Sequence, residues 1–281
     1  MARIQLEPFQ NVTAAGTAIM TTTRIWPNTL EYIVLTLGGG VAPTKAQLTR
    51  IVVRLGSKII WDVTGSQLAS ICAYENRPAT ATVLILPFSN FRARNIAQQY
   101  LGAVDFGSIG VRDMTLEVTI AGGTTPTLTA QAEVAPPKTL DAASNLLFRA
   151  LLRTPLAPSA ATTFAPFLLS TGQAGGALLR RIHFFSALVT ALQIKRDGLD
   201  IFEQIPLATN NAVLTELDCV PQANVYTYDV IEDNIESKAL TQIRKDAKGN
   251  ISLIPQQILV SNSGAGAYDV VTEVLANLNG L

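Results

Sequence analysis

The chain has 281 residues, of which 48% are hydrophobic and 15% charged, and its 21 basic residues balance its 21 acidic ones. Zero net charge disfavours broad nucleic-acid binding, which requires a basic stripe. The sequence contains no apolar run of about 18 residues, so it predicts no transmembrane helix. Soluble proteins usually carry about 25% charged residues. We therefore expect much of the surface to be covered by other copies of the chain, with a large core as the alternative.

Most segments of the first half predict β-strands. Leu30–Leu37 is apolar on both faces, which predicts a central strand covered on both sides and ended by Gly38–Gly40. Leu48–Val63 contains two apolar runs that flank Gly56-Ser57, the pattern of a β-hairpin. Two further elements are a strand that ends at Pro87 and a short helix that begins at Asn95 and ends at Gly102.

Two alternating runs and a proline-rich segment complete this half. Met114–Ile120 and Thr127–Val134 each place apolar side chains on one face only. Residues 121–126 (AGGTTP) predict a turn, so we expect the two runs to pair as an antiparallel hairpin. Five prolines between residues 136 and 166 interrupt regular structure, and we place a domain boundary near Lys138.

The second half contains strand signals in a similar order. Two helices are predicted here: a short one at Ser144–Leu152, and a longer one at 233–249 that begins at Asp233 or Asn234. The predicted strands are Arg180–Ala187, the hairpin Val189–Ile205, Asn224–Ile231 and Ala267–Leu278.

The two hairpins indicate an internal duplication. When Val53 is aligned with Ile194, a separation of 141 residues, Ile60-Trp61-Asp62 falls on Ile201-Phe202-Glu203. This separation is half of the chain length, which favours two copies of one plan over chance similarity between hairpins. Each half would hold about eight short strands and one helix, which predicts an all-β double jelly roll with domains 1–138 and 139–281. In this plan Trp61 is a core residue.

Catalytic groupings are scarce in the sequence. The one histidine, His183, lies in a strand pattern and has no nucleophile motif to serve, so we expect it to be structural. Cys72 and Cys219 lack metal-ligand spacing and predict two small buried side chains. We assign no catalytic, cofactor-binding or metal-ligating residue.

Two groups of charged residues leave alternatives open. Arg180-Arg181, and Arg92 with Arg94, could face phosphate groups or be ordinary solvated or paired charges. A cluster of carboxylates could bind calcium, or could complement the dipole of the predicted helix. Its members are Asp229, Glu232, Asp233 and Glu236.

The order of several segments resembles the double jelly-roll major capsid proteins of icosahedral, internal-membrane-containing bacteriophages, of the corticovirus type. The resemblance rests on "NVTAAGTA", on "NTLEYIVLTLGGGVAPTKAQLTRIVVRLGSKII", on "YLGAVDFGSIGVRDMTLEVTIAGGTTPTLTAQAEVAP" and on "LRRIHFFSALVTALQIKRDGLDIFEQI". The similar part is a Gly-containing turn followed by V-x-P-x₉-V-x-L-G, which spans Val41 to Gly56. It covers most of the chain in order and spacing.

This resemblance implies a non-enzymatic building block of a virion, assembled in the host cytoplasm. Three chains would form a pseudo-hexagonal homotrimer that contacts neighbouring trimers, penton or minor capsid proteins and an internal membrane, without specific nucleic-acid recognition. Calcium occurs in some relatives, but no ligand transfers to a residue of this chain. Two rival classes are a carbohydrate- or receptor-binding β-sandwich of a virion and a jelly-roll enzyme. The first rival would need an exposed aromatic platform, and the chain has only Trp26, Trp61 and 6% aromatic residues.

Overall fold

The structure is a computed structural model and describes residues 2–77, 80–93, 95–169, 177–232 and 234–281, without the Lys245 side chain. The chain divides into two compact units. Unit 1 is Met1–Leu152 with Leu275–Leu278, and unit 2 is Arg153–Val274 with Asn279–Leu281. Among the described residues, no helix has the length and apolar character needed to cross a bilayer.

Unit 1 contains two β-sheets. One has the strand order β1-β9-β3-β6, with β7 beside β3, and the other has the order β10-β5-β4-β8-β2. The pairs are antiparallel except for β10 with β5, which are parallel. The strands are β1 (Ala2–Gln5), β2 (Ala15–Thr22), β3 (Thr29–Val41), β4 (Leu48–Leu55), β5 (Lys58–Val63), β6 (Val83–Pro87), β7 (Val104–Asp105), β8 (Met114–Ala121), β9 (Thr124–Ala135) and β10 (Phe148–Leu156).

Short helices connect these strands. Each begins at a side chain that accepts a hydrogen bond from the first turn: Thr64, Asn95, Asp105 and Asp141. The helices are α1 (Gly65–Tyr74), α2 (Ile96–Leu101), α3 (Phe106–Ile109) and α4 (Ala142–Asn145), with a 3-10 turn at Lys45–Gln47. The predicted helix at Asn95–Gly102 is confirmed as α2, and α1 was not predicted.

The predicted helix at Ser144–Leu152 is wrong. Only α4 is helical there, and Phe148 begins β10, whose Leu151 pairs with Trp61 of β5. The apolar residues of this segment lie in a strand, and side chains on both faces of β10, including Phe148 and Arg149, are buried. An apolar run of this length has no periodicity that distinguishes a buried strand from a buried helix.

The expected hairpin of β8 and β9 is also wrong, although both strands exist. β8 pairs with β2 and β4, whereas β9 pairs with β1 and β3, so the two strands lie in different sheets. Gly122 and Gly123 connect them with φ angles of 151° and 91°. These angles are open to glycine and let the chain leave one sheet for the other.

Strand β3 is longer and less covered than expected. It continues through Gly38–Gly40 to Val41 and pairs with the start of β9. Ile33, Leu35 and Leu37 are buried, but the opposite face is only half-buried at Tyr32 and Val34. The expectation of cover on both faces is therefore wrong for this unit.

Unit 2 also contains two main sheets. One has the order β11-β19-β13-β14, and in the other β12 lies between β15 and β20, with β16 beside β12. The elements are β11 (Thr162–Phe167), β12 (Leu178–Phe185), β13 (Val189–Arg196), β14 (Leu199–Pro206), α5 (Leu207–Glu216), β15 (Tyr226–Asp229), β16 (Leu240–Thr241), β17 (Ile243–Lys245), β18 (Ile251–Leu253), β19 (Gln256–Asn262) and β20 (Tyr268–Ala276). Two 3-10 turns, Glu236–Lys238 and Leu278–Gly280, complete the chain.

The long helix predicted at 233–249 is wrong. The segment forms a 3-10 turn and strands β16 and β17, and β17 pairs with β18 as a small hairpin. The Asp246 carboxylate accepts hydrogen bonds from the backbone N–H groups of Lys248 and Asn250 and so stabilises the connecting turn. Asp233 lies outside the described residues, and Asn234 contacts Arg181 without capping a helix.

The two units repeat one topology, which confirms the predicted duplication and the double jelly-roll class. The order β5-β4-β8-β2 in unit 1 corresponds to β14-β13-β19-β11 in unit 2, and β9-β3-β6 corresponds to β20-β12-β15. The hairpins share their register: Val53 pairs with Trp61, and Ile194 pairs with Phe202. In both hairpins the next registered pair skips one residue, Ile60 or Ile201. A bulge at the same repeat position is a specific feature of one plan used twice.

Equivalent positions in the two hairpins differ in burial. Trp61 is fully buried, its ring centroid lies 4.6 Å from that of Phe88, and its Nε1–H donates to the Arg149 carbonyl at 2.9 Å. The prediction that Trp61 is a core residue is confirmed. Phe202 is only partly buried and contacts the Tyr228 ring at 4.9 Å. The difference follows from sheet position, since β10 covers β5 whereas β14 is the last strand of its sheet.

This contrast predicts unequal costs of truncation. Trp61→Ala should lower the free energy of unfolding by about 3–5 kcal/mol, because it removes a large buried ring and its hydrogen bond. Phe202→Ala, at the equivalent repeat position, should cost at least ~1 kcal/mol less, because its ring already contacts solvent. Guanidinium unfolding curves measure both values. Equal costs would contradict the assignment of β14 as an exposed edge.

Candidate functional site

The predicted chemistry-bearing residues of β12 lie in the core of unit 2. His183 is 1% exposed, its Nδ1 lies 3.0 Å from the Thr227 hydroxyl, and its Nε2 lies 3.9 Å from a Glu273 carboxylate oxygen. A side chain enclosed in this way cannot reach a substrate. The position is that of a structural histidine.

Arg180 and Arg181 belong to the same buried network. Arg180 contacts Glu236 and Glu273, each at 2.5 Å. Arg181 contacts Asp229 at 2.7 Å and Glu273 at 3.4 Å. Both guanidinium groups are covered, so the alternative that this pair faces lipid or genome phosphates is wrong.

Two members of the predicted carboxylate cluster contact different arginines. Asp229 and Glu236 each face an arginine, as buried charges must to offset their loss of hydration. Within the described part of the chain, no three His, Cys, Asp or Glu side chains form a group that could hold a metal ion. Glu273 completes the network but was absent from the prediction, because it lies 37 residues from Glu236 in the sequence.

Unit 1 contains a smaller ionic cluster that the sequence did not indicate. Glu75, at the end of α1, contacts Arg149 of β10 at 2.7 Å and Arg77 at 3.1 Å. Arg149 also donates to the Pro87 carbonyl at 3.2 Å. The guanidinium of Arg149 therefore joins helix α1, strand β6 and strand β10 within the unit.

The remaining reactive groups of the sequence are enclosed. Cys72 and Cys219 are both buried, as predicted. Burial raises the pKa of the Cys72 thiol to about 11, so this thiol is protonated at neutral pH and is a poor nucleophile. Lys138 is also buried, its Nζ donates to the Leu101 and Leu147 carbonyls, and desolvation lowers its pKa to about 7.

Arg92 lies at an open groove of unit 1. The groove has a volume of about 470 Å³, and Tyr32, Val34, Ile85 and Phe91 provide apolar lining. Arg94, the partner of Arg92 in the predicted pair, lies outside the described residues. The groove sits on the half-buried face of β3.

Strand edges and several apolar side chains face solvent. β1 and β14 are terminal strands of their sheets, and β14 exposes Leu199 and Ile201. Exposed apolar residues also occur in the β17–β18 hairpin, at Ile251 and Leu253. Surfaces of this kind are typical of contacts between protein chains.

Family models identify both halves of the chain. The model of the viral coat protein P2 N-terminal domain matches residues 3–135, and the model of the P2 C-terminal domain matches residues 148–278. The chain belongs to the viral coat protein P2 family. It is a viral coat protein, and its place is in the capsid of a virion. The division predicted at Lys138 falls between the two matches and stays a prediction.

Solved structures share the fold of this coat protein. The major capsid protein P2 of bacteriophage PM2 superposes with a TM-score of 0.82 and 18% identity, over 100% of this chain and 99% of that one. A chain from Sulfolobus Turreted Icosahedral Virus gives a TM-score of 0.65 with 12% identity, covering 99% and 91% of the two chains. A chain of the PBCV-1 virus capsid gives 0.61 with 11% identity, covering 98% and 94%. No curated protein sequence matches the coat protein significantly.

The buried network predicts a large penalty for removing one guanidinium. Arg181→Met should lower the free energy of unfolding by about 3–5 kcal/mol, because Asp229 and Glu273 lose their shared cation in the core. Chemical denaturation at neutral pH measures the loss. The matched control is Arg244→Met, which removes an exposed ion pair with Asp197 in the same unit. That control should cost about 1 kcal/mol or less, and an equal loss in both variants would contradict the network.

Proposed function

We propose that this coat protein is a non-enzymatic building block that forms a pseudo-hexagonal homotrimer. The observation that carries the proposal is the duplicated topology of units 1 and 2. Three chains around a threefold axis present six similar jelly rolls, and closed cyclic symmetry is the usual arrangement of homo-oligomers. Such trimers would tile an icosahedral shell and contact neighbouring trimers and penton or minor capsid proteins.

The absence of catalysis is part of this proposal. His183 and the Cys72 thiol are both buried, and Arg180 and Arg181 form ion pairs within unit 2. Trp61 is buried as well, so it provides no aromatic platform for a carbohydrate. These placements favour a shell component over the enzyme and the receptor-binding sandwich.

We also propose that the shell encloses an internal membrane. This part rests on the resemblance to capsid proteins of internal-membrane-containing bacteriophages and on the low charge content of the chain, 15%. The low charge suits a protein whose surface is largely covered by neighbours. No specific nucleic-acid recognition is proposed, since the formal net charge is zero.

The trimer is testable by mass. Sedimentation velocity and light scattering of the purified protein at micromolar concentration should give about three times the 30.0 kDa of one chain. A dilution series should leave this mass unchanged until the trimer dissociates. A stable monomer at micromolar concentration would overturn the proposal.

A further inference from the structure

Strand β14 is an open edge of unit 2. It pairs with β13 on one side, and the described residues provide no strand on its other side. Leu199 is 71% exposed and Ile201 is 44% exposed. An open edge with exposed apolar side chains attracts a further strand, and proteins usually protect such an edge.

The repeat shows what covers the equivalent edge in unit 1. β5 corresponds to β14, and β5 is flanked by β4 on one side and by β10 on the other. The contact of β10 with β5 is parallel, with Leu151 opposite Trp61. β14 is the repeat equivalent of β5, as Phe202 is of Trp61. The edge of β14 that corresponds to the β10-covered edge of β5 has no strand beside it among the described residues.

Strand β1 is the counterpart of β10 in the duplicated plan. β1 precedes β2 as β10 precedes β11, and β2 and β11 are equivalent strands. β1 pairs with β9, from Ala2 opposite Val134 to Gln5 opposite Gln131. In unit 2, Arg153 of β10 lies 3.5 Å from Asp269 of β20, the equivalent of β9.

β1 has an open edge of its own. β10 has a second strand partner in β5, whereas β1 has β9 alone among the described strands. The Gln5 carbonyl accepts a hydrogen bond from Arg24, which leaves Ala2–Ile4 as the open part of the edge. Among the described strands, unit 2 thus has an open edge at β14, and unit 1 has an open edge at β1.

We propose that β14 of one copy pairs in parallel with β1 of a second copy, as β5 pairs with β10 within one chain. The repeat selects this occupant, because β1 is the counterpart of β10. Arg3 of β1, which contacts Glu133 of β9 at 3.1 Å, would also bring a positive charge towards Glu203 of β14. The contact joins two different surfaces and is heterologous, the kind that closes into a ring of three. The proposal rests on the proposed homotrimer and assigns its contact surface.

Photo-crosslinking tests the pairing directly. The photoreactive residue p-benzoylphenylalanine replaces the exposed Ala2, and this protein is mixed with an isotopically heavy copy so that cross-links between chains are recognised by mass. Cross-links should fall in Leu199–Pro206 of the other copy. The matched control places the same residue at Val41, which is 60% exposed on β3 of the same unit, and should give no product in β14.

A charge introduced at the edge tests its energetic role. Ile201→Lys should raise the dissociation constant of the trimer by about tenfold or more, since burying an unpaired ammonium at the contact opposes association. Val213→Lys adds the same charge at another exposed apolar position of unit 2, on α5, and should leave the constant unchanged. Circular dichroism of both variants checks that they fold.

The outcomes separate this inference from the proposed function. Cross-links into β14 together with a weakened Ile201→Lys trimer support the pairing. A wild-type trimer whose cross-links from residue 2 fall elsewhere, or an Ile201→Lys trimer as stable as the wild type, overturns the pairing and leaves the trimer standing. A monomeric wild-type protein overturns the trimer and the pairing with it.

Discussion

The pairing of strand edges is the constraint on which the rest of this structure depends. A strand at the end of a sheet leaves a row of backbone N–H and C=O groups without a partner. Both units use the same order of strands, so the same edges recur in each. In unit 1 the edge of β5 is covered by β10, and in unit 2 the equivalent edge of β14 is open. Two copies of one plan therefore leave one edge without a neighbouring strand among the described residues, and we propose that a second chain covers it.

Buried ionic side chains connect the elements of unit 2 from within. In unit 2, Arg180 and Arg181 connect β12 to Asp229, Glu236 and Glu273, which belong to other elements of the unit. A buried ion network adds little net stability compared with apolar packing, but removing one member is costly. We infer that the network fixes the position of the segment after β15 against β12. This use of charged residues suits a component that must present one fixed shape to its neighbours.

The sequence revealed the features that are encoded locally. The hairpin Leu48–Val63 and its repeat were predictable because their turns need positive φ angles, which Gly56 and Asp197-Gly198 supply, and because strands flank them. The separation of 141 residues then indicated the duplication. Sheet membership was not predictable, since the alternation of β8 and β9 is the same whether they pair or lie in different sheets. The helix predicted at 233–249 is wrong because the apolar spacing of this segment is also compatible with short strands. The place of Glu273 in the ion network was not predictable because it depends on the long-range pairing of β20.

The central claim is that one chain supplies two equivalent jelly rolls, so that three chains imitate sixfold symmetry. Electron microscopy of the purified assembly tests this claim most directly. Class averages viewed along the symmetry axis should show six similar lobes, with a strong sixfold rotational component and a weaker threefold one that reflects the difference between units 1 and 2. Averages with three lobes, or particles without rotational symmetry, would contradict the account.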